Sequence, residues 1–435
     1  MAMVVKNNMN AVTTLNTLNK NSAALTNSLQ KVSSGMKING AKDDASGYAI
    51  SERMRVQIRS LDQANQNTQN GNSMLKTAEG AVSSTIEILK SLKEKAINAA
   101  NDTNNTETDR TTIQKELDQF IDQIDENANV TYNGKYMLDG TKNFTSQGTK
   151  STYINMSLAT NTVQGSTLES LSNRAGASLE IKATDRVTFS YVNGGKTYTC
   201  SFAASGKTVT TALQLTQEGY TNPTIATGSN SIGVSRGANS VAATDGQTAI
   251  VVRASATGVT AQISGLTIRI TDNEGNVRKS ATEALNNFTE VIHAEDASDD
   301  NALRFHTGAK SNNLVQVGLQ DMRSEALGLK GSDGTKLNIS TQEKAEAAIS
   351  VLDSAIGRAL DQQTSIGAAQ ARLEYTSSNL TTASENVQAS ESTIRDADMA
   401  KEMMNYTKNN VLLQAAQSML AQANQNSSAA LSLLQ

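Results

Sequence analysis

The chain is 435 residues long, room for about two to four domains, and its formal charge of −4 leaves no electrostatic case for nucleic acid as a partner. Trp is absent, aromatics are 3% and Ala, Asn, Gln, Ser and Thr abound, which excludes a thick aromatic core and favours slender helix packing. Cys200 is the only cysteine and Pro223 the only proline, so an intrachain disulfide and a cysteine metal site are excluded and both flanks lack the strongest helix breaker.

The first predicted element carries Val5, Met9, Val12, Leu15, Leu18, Leu25, Leu29 and Val32 at mostly three- and four-residue steps, one face of a helix. Before Lys31 its only charges are Lys6 and Lys20. The start has no basic stretch followed by an apolar run, so a cleaved secretory signal is not expected. Ser34-Gly35 and Asn39-Gly40 interrupt the helix, and Asp43 or Asp44 is placed to cap the next one. That second helix is expected to run to about Asn101 on a stripe of Met54, Ile58, Leu61, Leu75, Val82, Ile86 and Leu89, weakened where Asn65, Thr68 and Asn72 fall on it. A third helix is marked by Ile113, Leu117, Phe120, Ile121 and Ile124, and Tyr132-Asn133-Gly134 reads as a turn.

From about Phe144 to Asp300 the chain is rich in Ser, Thr and Gly, with short alternating runs. Val187, Phe189 and Tyr191 alternate before Asn193-Gly194-Gly195, and Tyr198, Cys200 and Phe202 after it, which predicts a β-hairpin. Leu266 to Ile270 reads as another strand, Ala281 to Ile292 as a short helix, and Leu303–Phe305 with Leu314–Val317 as a second hairpin.

The C-terminal arm is expected to start near Thr341, with only half a capping box because Lys344 stands where Glu would complete it. Leu352, Ala359, Ile366, Leu373, Leu380, Val387 and Ile394 recur every seventh residue, a coiled-coil seam. The companion stripe turns polar, from Ile349 and Ile356 to Gln363, Gln370, Ser377 and Ser384, which suits a wetter multi-helix bundle. The last helix, roughly Met399 to Leu434, carries Leu412, Ala416, Met419, Leu420, Ala423 and Leu434 and no charge beyond Lys408; it is too rich in Asn, Gln and Ser to span a membrane.

These elements imply a mainly α fold. The two terminal arms pair antiparallel as a coiled coil or bundle, and a β-rich (α+β) domain is inserted between them. Two tip helices with so few ion pairs are marginal alone, so they are expected to be disordered in a monomer and ordered once neighbouring chains cover them. Contacts that repeat without closing would build a filament; periodicity by itself leaves a closed bundle and a membrane-deforming coat equally open.

The stretch Ser33 to Ile50 (SSGMKINGAKDDASGYAI) resembles the N-terminal signature of bacterial flagellins. Ser392 to Ala400 (STIRDADMA), Ala421 to Asn426 (AQANQN) and Leu431 to Leu434 (LSLL) resemble the C-terminal one. The resemblance covers roughly the first 140 and last 130 residues. It implies a secreted, non-enzymatic subunit of the extracellular flagellum, self-assembling for motility and exported unfolded by the flagellar type III apparatus. An inner domain (1–42 and 395–435), a helical domain with a hairpin (43–144 and 301–394) and an outer variable domain (145–300) would follow. Implied partners are other copies of the chain, an export chaperone, and cap and junction proteins. A hook-filament junction protein of the same family, and an adhesin or enzyme displayed by the middle domain, stay open as alternatives.

The same resemblance points to a patch read by animal Toll-like flagellin receptors. Strong activators carry Gln-Arg-x-Arg-Glu-Leu-Ala where this chain has Lys90, Ser91, Leu92, Lys93, Glu94, Lys95 and Ala96; Glu116 still matches a contact in the following helix. Ser91 and Lys95 replace a bidentate Arg donor and an apolar contact, so weakened activation is expected.

The remaining candidates favour no chemistry. His293-Ala-Glu295 lacks the spacing of a zinc protease motif, Asp296 to Asp300 reads as a solvated loop, and sequons such as Asn143-Phe-Thr145 mean little without a eukaryotic glycosylation pathway. The methionines at 403, 404 and 419 read as packing. No cofactor or metal is therefore expected. Lys42, Asp43 and Asp44, with Arg395, Asp396 and Asp398, form an elbow that reads either as solvated helix caps or as intersubunit ion pairs.

Overall fold

The computed structural model describes residues 8–103, 106–162, 165–209, 224–228, 249–254 and 256–432. The chain divides into two compact units, one of Met1–Thr68, His306–Asn313 and Tyr375–Gln435, the other of Gln69–Phe305 and Leu314–Glu374.

In the first unit, helix α1 (Met9–Ser34) starts where the Asn8 side chain accepts from Ala11 N at 3.0 Å. It stops at Gly35, whose φ of 71° lets its N–H turn back to the Lys31 carbonyl, a left-handed cap that a glycine adopts without a Cβ clash. Helix α2 (Ala45–Ala100) opens on Asp44, whose Oδ1 accepts from the N–H groups of Ser46 and Gly47, both at 3.0 Å. Leu61, Ala64 and Leu380 form a small apolar cluster, with Ala383 and Val387 packed on it.

In the second unit, α3 (Glu107–Ala128) carries a reciprocal capping box between Thr106 and Asp109. Its Leu117, Ile121 and Ile124 join Leu75, Val82, Ile86 and Leu89 of α2 in the main core. Helix α4 (Lys279–Asn286) belongs to the middle region, and α5 (Gln342–Arg395) brings Leu352, Ala359, Ile366 and Leu373 to the same core. The Thr341 hydroxyl accepts from Lys344 N at 3.4 Å, the half box expected. Gly71 lies inside α2, where glycine costs about 1 kcal/mol relative to Ala. A Cβ there would stand 2.8 Å from the Phe305 ring, so the position is kept open for that side chain.

Strands β1 (Thr131–Tyr132) and β2 (Lys135–Tyr136) close over Asn133 and Gly134, both at positive φ as such a tight turn requires. In the middle region, β3 (Ser146–Thr149) and β4 (Thr152–Asn155) precede the long hairpin β5 (Arg186–Asn193) and β6 (Lys196–Ala203). Then come β7 (Thr224–Gly228), β8 (Ala249–Arg253), β9 (Ser264–Thr271), β10 (Phe288–Ile292) and β11 (Glu295–Ser298). They form antiparallel sheets in the orders β10-β4-β8-β7, β6-β5-β9 and β11-β3. The hairpin β12 (Leu303–His306) and β13 (Leu314–Val317) follows as expected.

The reading of Ala281 to Ile292 as one helix is corrected. The helix ends at Asn286, whose side chain accepts from Ile268 N, and Phe288–Ile292 pairs with β4 instead. Its alternating half-buried and exposed residues are a strand pattern that the preceding Ala281 and Leu285 obscured. Strands β4 and β8 are buried along nearly their whole length, so they show no alternation to read.

Candidate assembly surface

Helix α6 (Met399–Ser432) lies antiparallel to α1. The pairing is pinned by Asn8 Nδ2 to the Ala423 carbonyl (3.2 Å), Asn21 Nδ2 to the Leu412 carbonyl (3.2 Å) and Asn409 Nδ2 to Ser28 Oγ (3.0 Å). Only Ser28 of α1 and Ala416 of α6 are buried among the described residues of these helices.

Their apolar faces therefore remain open. Met9, Val12, Leu15 and Leu29 of α1 are exposed, while Leu18, Leu25 and Val32 are half-buried. On α6, Met399, Met403, Met404, Val411, Leu412 and Met419 are exposed, and Leu420 and Ala423 half-buried. Val5 and Leu434 lie outside the described residues. Met403, Met404, Val411 and Leu412 line an open cleft of about 560 Å³. Single exposed apolar residues are ordinary on a protein surface, whereas here they recur along two adjacent helices.

Along the seam, burial differs between the units. Leu75, Val82, Leu89, Leu352, Ala359, Ile366 and Leu373 are fully buried in the second, where α3 adds its face. In the first, Leu61 and Leu380 are buried, and Met54, Ile58, Val387 and Ile394 only half so. The polar companion stripe is matched across the helices. Gln370 donates to Glu79 (2.9 Å) and Asn72 to Glu374 (3.3 Å) in the second unit. Ser377 donates to Asn65 (2.6 Å) and Ser384 to Asp62 (3.0 Å) in the first. Of the polar stripe positions, Ser377 meets Asn65 directly, and Gln370, Ser384 and Asn72 find acidic partners on the facing helix.

At the elbow, the acidic groups are occupied within the chain. Asp43 accepts from Asn39 N and Gly40 N, Asp44 caps α2, and Asp398 caps α6 through Ala400 N and Lys401 N. Asp396 accepts from Ser392, and Lys42 is exposed. Arg395 is 6% exposed, pairs with Glu52 and lies over the Tyr48 ring at 5.5 Å. The two linkers also join as short antiparallel backbone, with Lys37 N on the Arg395 carbonyl (2.7 Å) and Ala397 N on the Gly35 carbonyl (2.9 Å). Glu52, Ser51 and Tyr48, which receive the guanidinium, carried no periodic signal and were missed by sequence reasoning.

On the second unit, Lys95 Nζ is 2.6 Å from Glu116 and 5.7 Å from the Phe120 ring centre. Lys93 pairs with Asp353, Ser91 is half-buried, and Lys90 and Glu94 are exposed.

Two family models match the chain: the bacterial flagellin N-terminal helical region over residues 5–143 and the bacterial flagellin C-terminal helical region over 349–434. A flagellin of Clostridium tyrobutyricum is 34% identical, over 97% of this chain and 99% of that protein. The chain belongs to the bacterial flagellin family. A flagellin of Bacillus subtilis is 29% identical over 99% of this chain and all of its own length. Among solved structures, the flagellar hook associated protein-3 of Legionella pneumophila is 15% identical with a TM-score of 0.34, over 79% of this chain and 98% of its own. As a flagellin the protein is a structural subunit of the bacterial flagellar filament, an extracellular motility organelle. Among the described residues no helix is long and apolar enough to cross a membrane, and no group of three or more His, Cys, Asp or Glu could hold a metal ion.

Proposed function

We propose that α1 and α6 form the core of the flagellin polymer, that the α2–α3–α5 bundle surrounds it, and that the β-rich region from about 145 to 300 faces outward. The observation that carries this is the run of exposed apolar side chains on α1 and α6, from Met9 to Leu29 and from Met399 to Met419. Covering one Leu, Val or Met contributes roughly 1.5–3 kcal/mol, so a neighbour that covers several of them offsets the cost of holding two weakly packed helices in order. Polymerisation on short filament seeds, followed by electron microscopy, tests the assignment. Full-length chain should give long filaments and chains lacking 1–34 or 399–435 none; elongation by either truncated chain would overturn it.

The same reading makes the middle region the part free to vary, because the hydrogen bonds that pair α1 with α6 are made without it. For the animal Toll-like receptor we infer weakened activation. Glu116 is engaged by Lys95 of its own chain, so a receptor must break that pair before using the carboxylate.

A further inference from the structure

His293 sits between two charged groups that want opposite things from it. Its Nδ1 is 3.0 Å from Arg358 Nε, which needs an acceptor, and 3.1 Å from Glu290 Oε2, which needs a donor. One nitrogen cannot serve both, since it carries either a lone pair or a proton. Arg358 and Glu290 are almost wholly buried and joined through Nη2 and Oε1 at 3.1 Å, whereas the imidazole is about one-third exposed. Arg358 Nη1 donates to the Ala326 carbonyl, so with a bare Nδ1 every guanidinium nitrogen is occupied, and Glu290 Oε2 is left without a hydrogen bond.

We propose that His293 is a proton-operated tether between the β10–β11 segment and helix α5. With Nδ1 bare, His293 accepts from Arg358 and ties the segment to the helix. With Nδ1 protonated it donates to Glu290, three residues back in its own segment. It then sets a second cation beside the guanidinium and draws on the carboxylate that Arg358 also uses. Acid therefore converts a link between elements into one within the segment, and the sheet that contains β10 and β4 is held to α5 less firmly.

The other charged groups facing the site leave this logic in place. Glu295 and Asp296 of β11, with Asp139, Asp321 and Arg323, line the cleft of about 290 Å³ that His293 and Arg358 share. Glu295 accepts from Gln320, Asp296 accepts from Val259 N, and Asp321 is bound to Arg323. Burial alone would raise the Glu290 carboxyl, but the Arg358 charge beside it holds it below its ordinary value, so it stays the anion that a protonated imidazole seeks. Tyr153 of β4, whose phenol burial pushes far upward, remains neutral throughout.

Hydrogen exchange of full-length monomer, corrected for intrinsic rates, tests this at about pH 8 and 5.5, across the window in which imidazoles change charge. Protection of 288–298 should fall about three- to ten-fold on acidification, the size of one hydrogen bond. In His293→Gln, whose amide oxygen accepts from Arg358 at any pH, protection should not change between the two; His306→Gln should behave as wild type. A full pH response in His293→Gln, or none in wild type, overturns the proposal. So does an imidazole nitrogen-15 spectrum of the wild-type monomer in which Nδ1 already carries its proton at pH 8, a readout that needs no variant to fold.

Discussion

Arg395 Nη1 donates to Glu52 Oε1 at 2.7 Å, so a buried guanidinium in the last turn of α5 is held by a half-exposed carboxylate near the start of α2. Ser51 Oγ and the face of Tyr48 complete the site, and the Arg395 carbonyl receives Lys37 N from the other linker. One residue thus fastens both connections of the elbow. Arg395→Glu places like charges at Glu52 and removes the stacking cation. It should lower the melting temperature of the monomer by several degrees, and it should slow seeded polymerisation because the orientation of α6 depends on that linker. Polymerisation at the wild-type rate would confine the elbow to helix capping.

The same pair makes stability depend on acid. The hydrogen bond from Arg395, more than the charges of Arg395, Arg55 and Arg59, holds the Glu52 carboxyl below its ordinary value against a smaller opposing effect of burial. A carboxylate lowered on folding contributes fully above its unfolded value, about 4.3. The contribution is lost as pH falls through the lower folded value. Glu52→Gln should therefore melt earlier than wild type at pH 7, and the two melting curves should converge as pH is taken to 3. A gap that stays constant over that range would show that the pair is not linked to protonation.

Leu352 is fully buried with Leu75, Leu89 and Leu117 around the α2, α3 and α5 contact. Leu352→Ala removes buried methyl groups where three helices meet and leaves a cavity they cannot easily close, a loss of about 2–5 kcal/mol. Urea unfolding followed by far-ultraviolet circular dichroism should place its midpoint clearly below wild type. Val387→Ala, at a half-buried seam position, should cost visibly less.

That contrast bears on what could be read from the chain alone. The seven-residue repeat from Leu352 to Ile394 announces the long helix because a single period persists over many turns, yet it says nothing of what covers it: α3 and the chain from Val315 to Ile339 join the same core, where the repeats from Leu352 to Leu373 are fully buried. Gln370, Ser377 and Ser384 read as a wet stripe, and their true partners are Glu79, Asn65 and Asp62. Matched polarity across two segments so distant in sequence leaves no local pattern. Thr152–Asn155 hid as a strand because both its faces are buried, and Arg358 hid as a surface residue because helix periodicity cannot distinguish a solvated arginine from one paired with Glu290.

For the receptor patch, the Lys95–Glu116 pair carries the prediction. Lys95→Leu frees the Glu116 carboxylate and restores an apolar side chain, while Ser91→Arg restores a bidentate donor. The double variant should raise activation of reporter cells bearing the Toll-like flagellin receptor at least several-fold over wild type. Equal potency of the two proteins would place the determinant elsewhere.

The exposed stripe on α1 and α6 gives the sharpest test of how the polymer forms. Met404 and Val411 are 67% and 59% exposed in the single chain, so replacing them with polar residues of similar size removes little that the monomer has buried. In a filament the same side chains would be covered, and an amide without a partner there costs about 1–3 kcal/mol. Met404→Gln with Val411→Asn should therefore leave monomer melting unchanged and stop elongation on seeds. Hydrogen exchange supplies the other half. Among their described residues the two tip helices bury only Ser28 and Ala416, so in the monomer their amides should exchange far faster than those of α2 and α5 around Leu75 and Leu352, and should become protected on polymerisation. Tip amides already as protected in the monomer as those around Leu75 would mean that α1 and α6 fold without neighbours, and covering the stripe would then add contacts without ordering the helices.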